Sequence, residues 1–397
     1  MTGFSEPHGA IPYSTEVMQP AELNTIVNNS RAQFRRSLST WKVFPSPDPT
    51  GSNGRMIPLY VPSWDAILAC VATAAGTASL YILLGNENDW LDLVSYSGMA
   101  TGEQLILAQE PSTGGLAGFS DAPSAGYYLS VGGAATVANT MGAYDFPGAS
   151  SFTASGPSLF IPGATAMDNT WVIPGRMDTD YPAVVAYSAS ASRAAIFSSA
   201  TGSGMFMYRV ASDGDQVIIA VGGVSTTKTV AISDDRGATW TWGAFPSLTG
   251  APATAHPSIT YDSVRSLFIV TMLDATYQVN YCSSPDGSSW GDWHVIPGAS
   301  SAPSEMNELT ADIVAIGGTW IVCRPYVTDL VNVELIQALA SHDGGATWFD
   351  VSPPEAVTDY TGTWMVQLGN RVGIATCKCL AISEPFDEPT GIASELV

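Results

Sequence analysis

The sequence predicts an all-β body behind an N-terminal helical arm, and three observations carry that prediction. Glycine and proline number 38 and 26 in 397 residues, too many for helical interiors, which exclude both. From about residue 56 onward, short apolar or alternating runs stand between Gly, Pro, Asn and Asp turns, as strands do. A turn motif ending in tryptophan recurs three times, at intervals of 51 and 57 residues.

Composition narrows the class. An apolar content of 46% supplies a core that disordered acidic chains lack. Thirty-six acids against 14 bases give −22, which repels phosphate and argues against nucleic acid as a partner. Lysine occurs only at Lys42, Lys228 and Lys378. The odd set Cys70, Cys282, Cys323, Cys377 and Cys379 does not read as a disulfide framework, and the expectation is five unlinked thiols. His8, His256, His294 and His342 are dispersed without metal-ligand spacing, so no metal and no cofactor are expected. The D-x-D pairs Asp178/Asp180 and Asp213/Asp215 sit in turns, where such pairs are usually solvated.

The arm comes first. No basic segment followed by an apolar one marks residues 1–19 as a secretory signal. Pro20-Ala21-Glu22 reads as a helix start, with an acid beside the positive end of the dipole. Leu23, Ile26, Val27, Phe34, Leu38 and Trp41 then recur at helical spacing and make one apolar face. Arg31, Arg35 and Arg36 lie along it, so residues 1–42 carry four bases against three acids. The remainder carries ten against 33, or −23. Such an arm either packs on its own domain or docks on an acidic neighbour, and Arg31, Phe34, Arg35, Arg36, Leu38 and Trp41 are the candidate contacts. Pro45, Pro47 and Pro49 open a linker, which puts the arm at 1–55 and the body at 56–397.

Within the body, the uncharged stretch Ala66–Leu84 is nearly long enough to span a bilayer. Its weakly hydrophobic middle and the absence of basic flanks favour a buried hairpin, Ile67–Ala72 against Leu80–Leu84. Further on, Ser258–Tyr261, Ser266–Met272, Tyr277–Cys282 and Ser289–Val295 read as four successive strands.

The repeated turn reads S-x-D-x-G-x-T-W at Ser233, Asp235, Gly237, Thr239 and Trp240, and again at Ser341, Asp343, Gly345, Thr347 and Trp348. Ser284, Asp286, Gly287 and Trp290 form a copy one residue shorter. Asp accepts backbone N–H groups, Gly supplies the positive φ, and Trp packs beneath the hairpin. Asn88-Asp89-Trp90 and Asp168-Asn169-Thr170-Trp171 read as worn copies. The motif resembles the Asp-box, or BNR, repeat of sialidase-like β-propellers, which joins the outer two strands of a blade. The resemblance implies a propeller, and 342 residues at about 50 per blade imply six or seven blades, with seven favoured. It also implies that these aspartates are turn caps on the blade periphery rather than catalytic acids.

Sialidase chemistry itself needs three arginines on a carboxylate, a Tyr–Glu nucleophile pair and an Asp acid/base. Glu308, the Gly317-Gly318 turn and Arg324 resemble the family's catalytic Glu strand and second arginine, which would make Arg371 the third. The remaining parts do not match. Arg55-Met56-Ile57-Pro58 carries an inserted residue and lacks the preceding aromatic, no acid lies near position 80, and no tyrosine follows Arg371. The expectation is therefore a non-catalytic propeller that acts as a structural or interaction module of a larger assembly, such as a bacteriophage tail or other virion component. Its partners would be other protein subunits met through the arm, without nucleic acid or a membrane span. The alternatives are a sialidase-like glycoside hydrolase and a glycan-binding, receptor-binding propeller.

Overall fold

A computed structural model describes residues 41–47, 56, 58–61, 65–74, 77–84, 89–97, 105–109, 116–120, 126–129, 141–144, 152–154, 159–161, 170–177, 181–188, 193–198, 207–224, 227–244, 246, 248, 255–298, 309–327, 334–353, 364–376 and 379–384. Every regular element among them is a strand. The first element among the described residues is β1 (Trp41–Pro45), whose sheet is completed only by strands of residues 364–383. The first consecutive sheet is β2 (Leu59–Val61), β3 (Ala66–Ala74), β4 (Thr77–Leu84) and β5 (Leu91–Ser97). The second is β6 (Leu105–Gln109), β7 (Leu116–Ser120), β8 (Gly126–Leu129) and β9 (Met141–Tyr144). In the third, β10 (Phe152–Ala154) and β11 (Leu159–Ile161) both pair with β12 (Thr170–Met177), followed by β13 (Tyr181–Ser188) and β14 (Arg193–Ser198).

The fourth sheet is β15 (Met207–Ser212), β16 (Ile218–Val224), β17 (Thr227–Ser233) and β18 (Thr241–Gly243). After β19 (Ala255–His256) comes the fifth: β20 (Ser258–Asp262), β21 (Leu267–Leu273), β22 (Val279–Ser284) and β23 (His294–Val295). After β24 (Leu309–Thr310) comes the sixth: β25 (Asp312–Ile316), β26 (Thr319–Val327), β27 (Glu334–Ser341) and β28 (Phe349–Asp350). The short β19 and β24 pair with each other in parallel. In the last sheet β29 (Trp364–Leu368), β30 (Arg371–Ala375) and β31 (Cys379–Ser383) are joined by β1, antiparallel to β31 from Trp41↔Ser383 to Pro45↔Cys379.

Neighbouring first strands touch in sequence: β2 by β6, β6 by β11, β11 by β15, β15 by β20, β20 by β25, β25 by β29, and β29 by β2. The sheets therefore close into a ring, and a strand from the start of the chain completes the last of them. Closure covers the faces that the end sheets of an open stack would expose, and each sheet keeps only short edge strands.

The cores lie between adjacent sheets. Ile219, Val221 and Val230 of the fourth sheet pack on Ile259, Phe268 and Val270 of the fifth. Ile269, Met272 and Tyr281 pack in turn on Ile313, Trp320 and Val322 of the sixth. Because middle strands are covered on both faces, β21 and β31 are buried along nearly their whole length. They read in sequence as continuous apolar runs without alternation. Each such buried aliphatic or aromatic side chain contributes about 1.5–3 kcal/mol of transfer free energy.

Several expectations meet the structure here. Ile67–Ala72 and Leu80–Leu84 fall in the antiparallel pair β3–β4, and no helix of the described residues is long and apolar enough to cross a membrane. The arm contacts Arg31, Phe34, Arg35, Arg36 and Leu38 lie outside the described residues. Trp41 requires a correction. The sequence put it on the apolar face of the arm helix, whereas it stands in β1, 8% exposed, with Nε1 donating to the Val351 carbonyl at 2.9 Å. The ring thus begins inside the segment expected to be arm and linker. Helical spacing from Leu38 to Trp41 was coincidence, since one large apolar residue fits either period.

Candidate functional site

The repeated turn is built from contacts two to four residues apart. Ser233 Oγ donates to Asp235 Oδ1 (2.8 Å) and accepts from Gly237 N (2.7 Å). Asp235 in turn accepts Thr239 N (2.8 Å) and Thr239 Oγ1 (2.6 Å), and Trp240 Nε1 donates to the Gly237 carbonyl (3.1 Å). Ser341, Asp343, Gly345, Thr347 and Trp348 repeat every one of these bonds. In the shorter copy Asp286 Oδ1 accepts Ser288 N and Ser289 N, and Ser284 Oγ accepts Gly287 N. Burial pushes the Asp235 and Asp343 carboxyls up, but hydrogen bonds from the threonine side chain and backbone outweigh it and hold both below 3.8. At Asp286 the Ser289 N–H is the largest influence, and the net direction is also down. Asp235 and Asp343 use both carboxylate oxygens and Asp286 uses Oδ1 within its own turn, which suits caps.

These turns also set the packing of one sheet on the next. Gly237 and Gly345 have φ of +86° and +91°. A Cβ on Gly345 would collide with Tyr281 of the preceding sheet, and one on Gly287 with Ile219. Glycine is needed for close approach as well as for φ. Trp90 keeps a comparable place between β4 and β5, its Nε1 donating to the Pro45 carbonyl of the neighbouring sheet. Trp171 does not: it belongs to β12, the strand that follows β11, rather than to a third-to-fourth-strand turn, and residues 168–169 lie outside the described residues.

Inside the ring a charged cluster forms that the sequence reading passed over. Arg209 on β15 reaches Asp312 at the start of β25, with Nε and Nη2 donating to Oδ1 (3.1 and 2.8 Å) and Nη2 to Oδ2 (2.8 Å). Both are buried, at 6% and 1% exposure. The guanidinium lies 3.5 Å over the Trp364 ring of β29, and Asp312 Oδ2 also accepts Met365 N. One ion pair thereby joins the first strands of the fourth, sixth and last sheets at the ends where those strands begin. A lone arginine inside the alternating run Met207–Ser212 was its one trace in the sequence. At the opposite strand ends Arg265 locks the fifth sheet to the sixth. It pairs with Asp262 (2.7 Å) and donates to the Gly318 and His342 carbonyls.

Arg324 is 2% exposed, and Nη1 donates to the Tyr277 carbonyl at 2.6 Å. Its Nε and Nη2 are buried without a hydrogen-bond partner, and burial lowers its pKa to about 10. Arg371 stands at the other end of its sheet. The second strands of adjacent sheets run the same way round the ring, Arg371 is the first residue of β30, and Arg324 is the sixth of β26. Five residues of strand separate their levels by roughly 16 Å. Glu308 lies outside the described residues. The structure therefore does not bring Arg324 and Arg371 together on one carboxylate.

Of the remaining candidates, Asp213 Oδ1 accepts three N–H groups of its own turn and Asp215 pairs with Arg236, while Asp178 and Asp180 lie outside the described residues. Among the described residues no group of His, Cys, Asp and Glu is placed to hold a metal ion. Cys282, Cys323 and Cys379 are buried and outside any disulfide, and burial pushes the Cys282 thiol far up.

No family model and no curated protein matches the chain. Solved structures do. The Dos1 propeller aligns at 10% identity and TM-score 0.55, over 88% of this chain and 97% of that one. YCF48 bound to D1 peptide aligns at 10% and 0.53, over 89% and 97%. The NanB sialidase of Streptococcus pneumoniae aligns at 13% and 0.48, over 86% and 70%. Identities this low speak to fold alone. Together with the ring of antiparallel sheets and its closure by β1, the first two likenesses show that this chain is a β-propeller.

Proposed function

We propose that this chain is a non-catalytic, seven-bladed propeller of the sialidase-like, Asp-box type, serving as a structural and interaction module of a larger assembly of the virion or phage-tail kind. The observation that carries the non-catalytic reading is the Arg209–Asp312 pair. The arginine inside the ring is spent on a protein carboxylate and a tryptophan face, and Arg324 and Arg371 stand at opposite strand ends. A carboxylate clamp needs convergent, unengaged guanidinium groups. Support for an assembly role comes from charge, with +1 over residues 1–42 against −23 over the rest, a contrast that favours contact between the basic segment and an acidic neighbour.

A second reading, ligand binding at the ring in the manner of a glycan-binding or sialidase-like propeller, is favoured by Arg324 alone. Two buried donors without acceptors are uncommon and call for an explanation. One experiment separates the readings. A chain cut before Trp41 is expected to keep its unfolding midpoint yet fail to enter the assembly that contains the full-length protein. Normal incorporation would sink the arm, and release of fluorophore from a sialoside by the full chain would sink the non-catalytic reading.

A further inference from the structure

The seam where β1 closes the ring holds a cavity of about 120 Å³ between the last sheet and the first. Its rim is charged in both signs: Lys42 on β1 and Arg371 at the start of β30, Asp65 just before β3 and Glu384 just after β31. Its floor is apolar, formed by Phe44, Ile67, Leu83, Leu368 and Ile382. Tyr60 stands on the wall and its Oη donates to Asp65 Oδ1 at 3.1 Å, which orients that carboxylate. Burial, then the Asp65 hydrogen bond and charge, raise the Tyr60 pKa, so the phenol remains a donor.

An earlier seam of the ring is built differently. Between the fifth and sixth sheets Arg265 fills the corresponding strand-end position and finds three protein acceptors. Among the described residues Arg371 makes no hydrogen bond or ion pair, and neither does Glu384. A guanidinium and a carboxylate that face one cavity without a hydrogen bond or ion pair among the described residues are matched by a ligand carrying the opposite charges.

We propose that this seam is a binding site for a small zwitterion, an α-amino acid with a short branched side chain. Arg371 and Lys42 take the carboxylate, Glu384 and Asp65 take the ammonium, and the side chain lies on the apolar floor. A neutral sugar leaves both charge pairs unmatched, and a simple carboxylate or amine leaves one. The volume, about 120 Å³, suits a side chain of valine size with its charged end at the rim. Because Lys42 belongs to β1, an occupant bridges the closing strand to the first sheet and stabilises ring closure by mass action.

The test uses the full chain with L-valine, 3-methylbutanoate, which lacks the amine, and isobutylamine, which lacks the carboxylate. Calorimetry is expected to show saturable valine binding that raises the unfolding midpoint, with each analogue at least tenfold weaker. Arg371→Met and Glu384→Gln are each expected to weaken valine tenfold or more without lowering the midpoint of the free protein, since neither side chain is engaged within the fold. No saturable valine binding up to about 50 mM overturns the proposal. So does valine binding that is unchanged in both variants.

Discussion

Asp312→Ala leaves the Arg209 guanidinium, 6% exposed, without its counter-charge. Stranding one partner of a buried ion pair costs about 3–5 kcal/mol, and the loss of the acceptor for Met365 N adds about 1 kcal/mol or more. A loss of about 4–6 kcal/mol is therefore expected. For a 397-residue chain an unfolding entropy of about 2.1 cal/mol/K per residue amounts to about 0.83 kcal/mol/K. The midpoint should then fall by about 5–7 °C in a thermal scan followed by circular dichroism. The double variant Arg209→Met with Asp312→Leu removes both charges, and replacement of a buried pair by apolar side chains is often neutral or better. It should recover most of the loss, though Trp364 loses its cation and Met365 N remains unpaired. A shift of under about 1 °C for Asp312→Ala, or a double variant no more stable than the single one, would refute the assignment of this pair as the tie across the ring.

Three further outcomes follow from the same geometry. Gly345→Ala combines a φ of +91° with a collision against Tyr281 and should cost about 2–4 kcal/mol, whereas Gly214→Ala, at +83° in open space, should cost about 1; equal losses by chemical denaturation would contradict the close-approach argument. Asp235, Asp286 and Asp343 have folded pKa values below the unfolded 3.8, so their contribution is fully present above that pH and lost as pH falls through the folded values. The unfolding midpoint should accordingly drop on acidification below about pH 4, and the acid slope should flatten in the triple Asp→Asn variant measured against pH. Deleting residues 1–45 removes β1 with buried Trp41 and Phe44 and should lower the midpoint sharply relative to deletion of 1–40; equal midpoints for the two deletions would show that ring closure does not depend on β1.

What was legible in advance was short-range. The bonds of the Ser–Asp–Gly–Thr–Trp turn span at most four residues, so the capping role of its aspartate could be read from local residue types, and its resemblance to the Asp-box repeat implied a propeller. The four strands of the fifth sheet were likewise visible, because turn residues bracket each apolar run. Less was visible of the candidate sites. Glu308, the Gly317-Gly318 turn and Arg324 were picked out by order along the chain, but order does not say at which end of a sheet a side chain stands. It therefore could not reveal that Arg324 and Arg371 are a sheet-length apart.

The sequence by itself determined the all-β class, the repeated turn and the acidic character, since each depends on composition or on neighbours a few residues away. Tertiary structure alone decided that Trp41 belongs to the last sheet, where it bonds Val351 at a separation of 310 residues, and that Arg209 is neutralised 103 residues away. It also decided that Lys42, Arg371, Asp65 and Glu384 share one seam. The physical reason is ring closure. A closed ring brings β1 beside β31, more than 330 residues later, and the starts of non-consecutive strands together, which leaves no periodic trace in the residues that it joins.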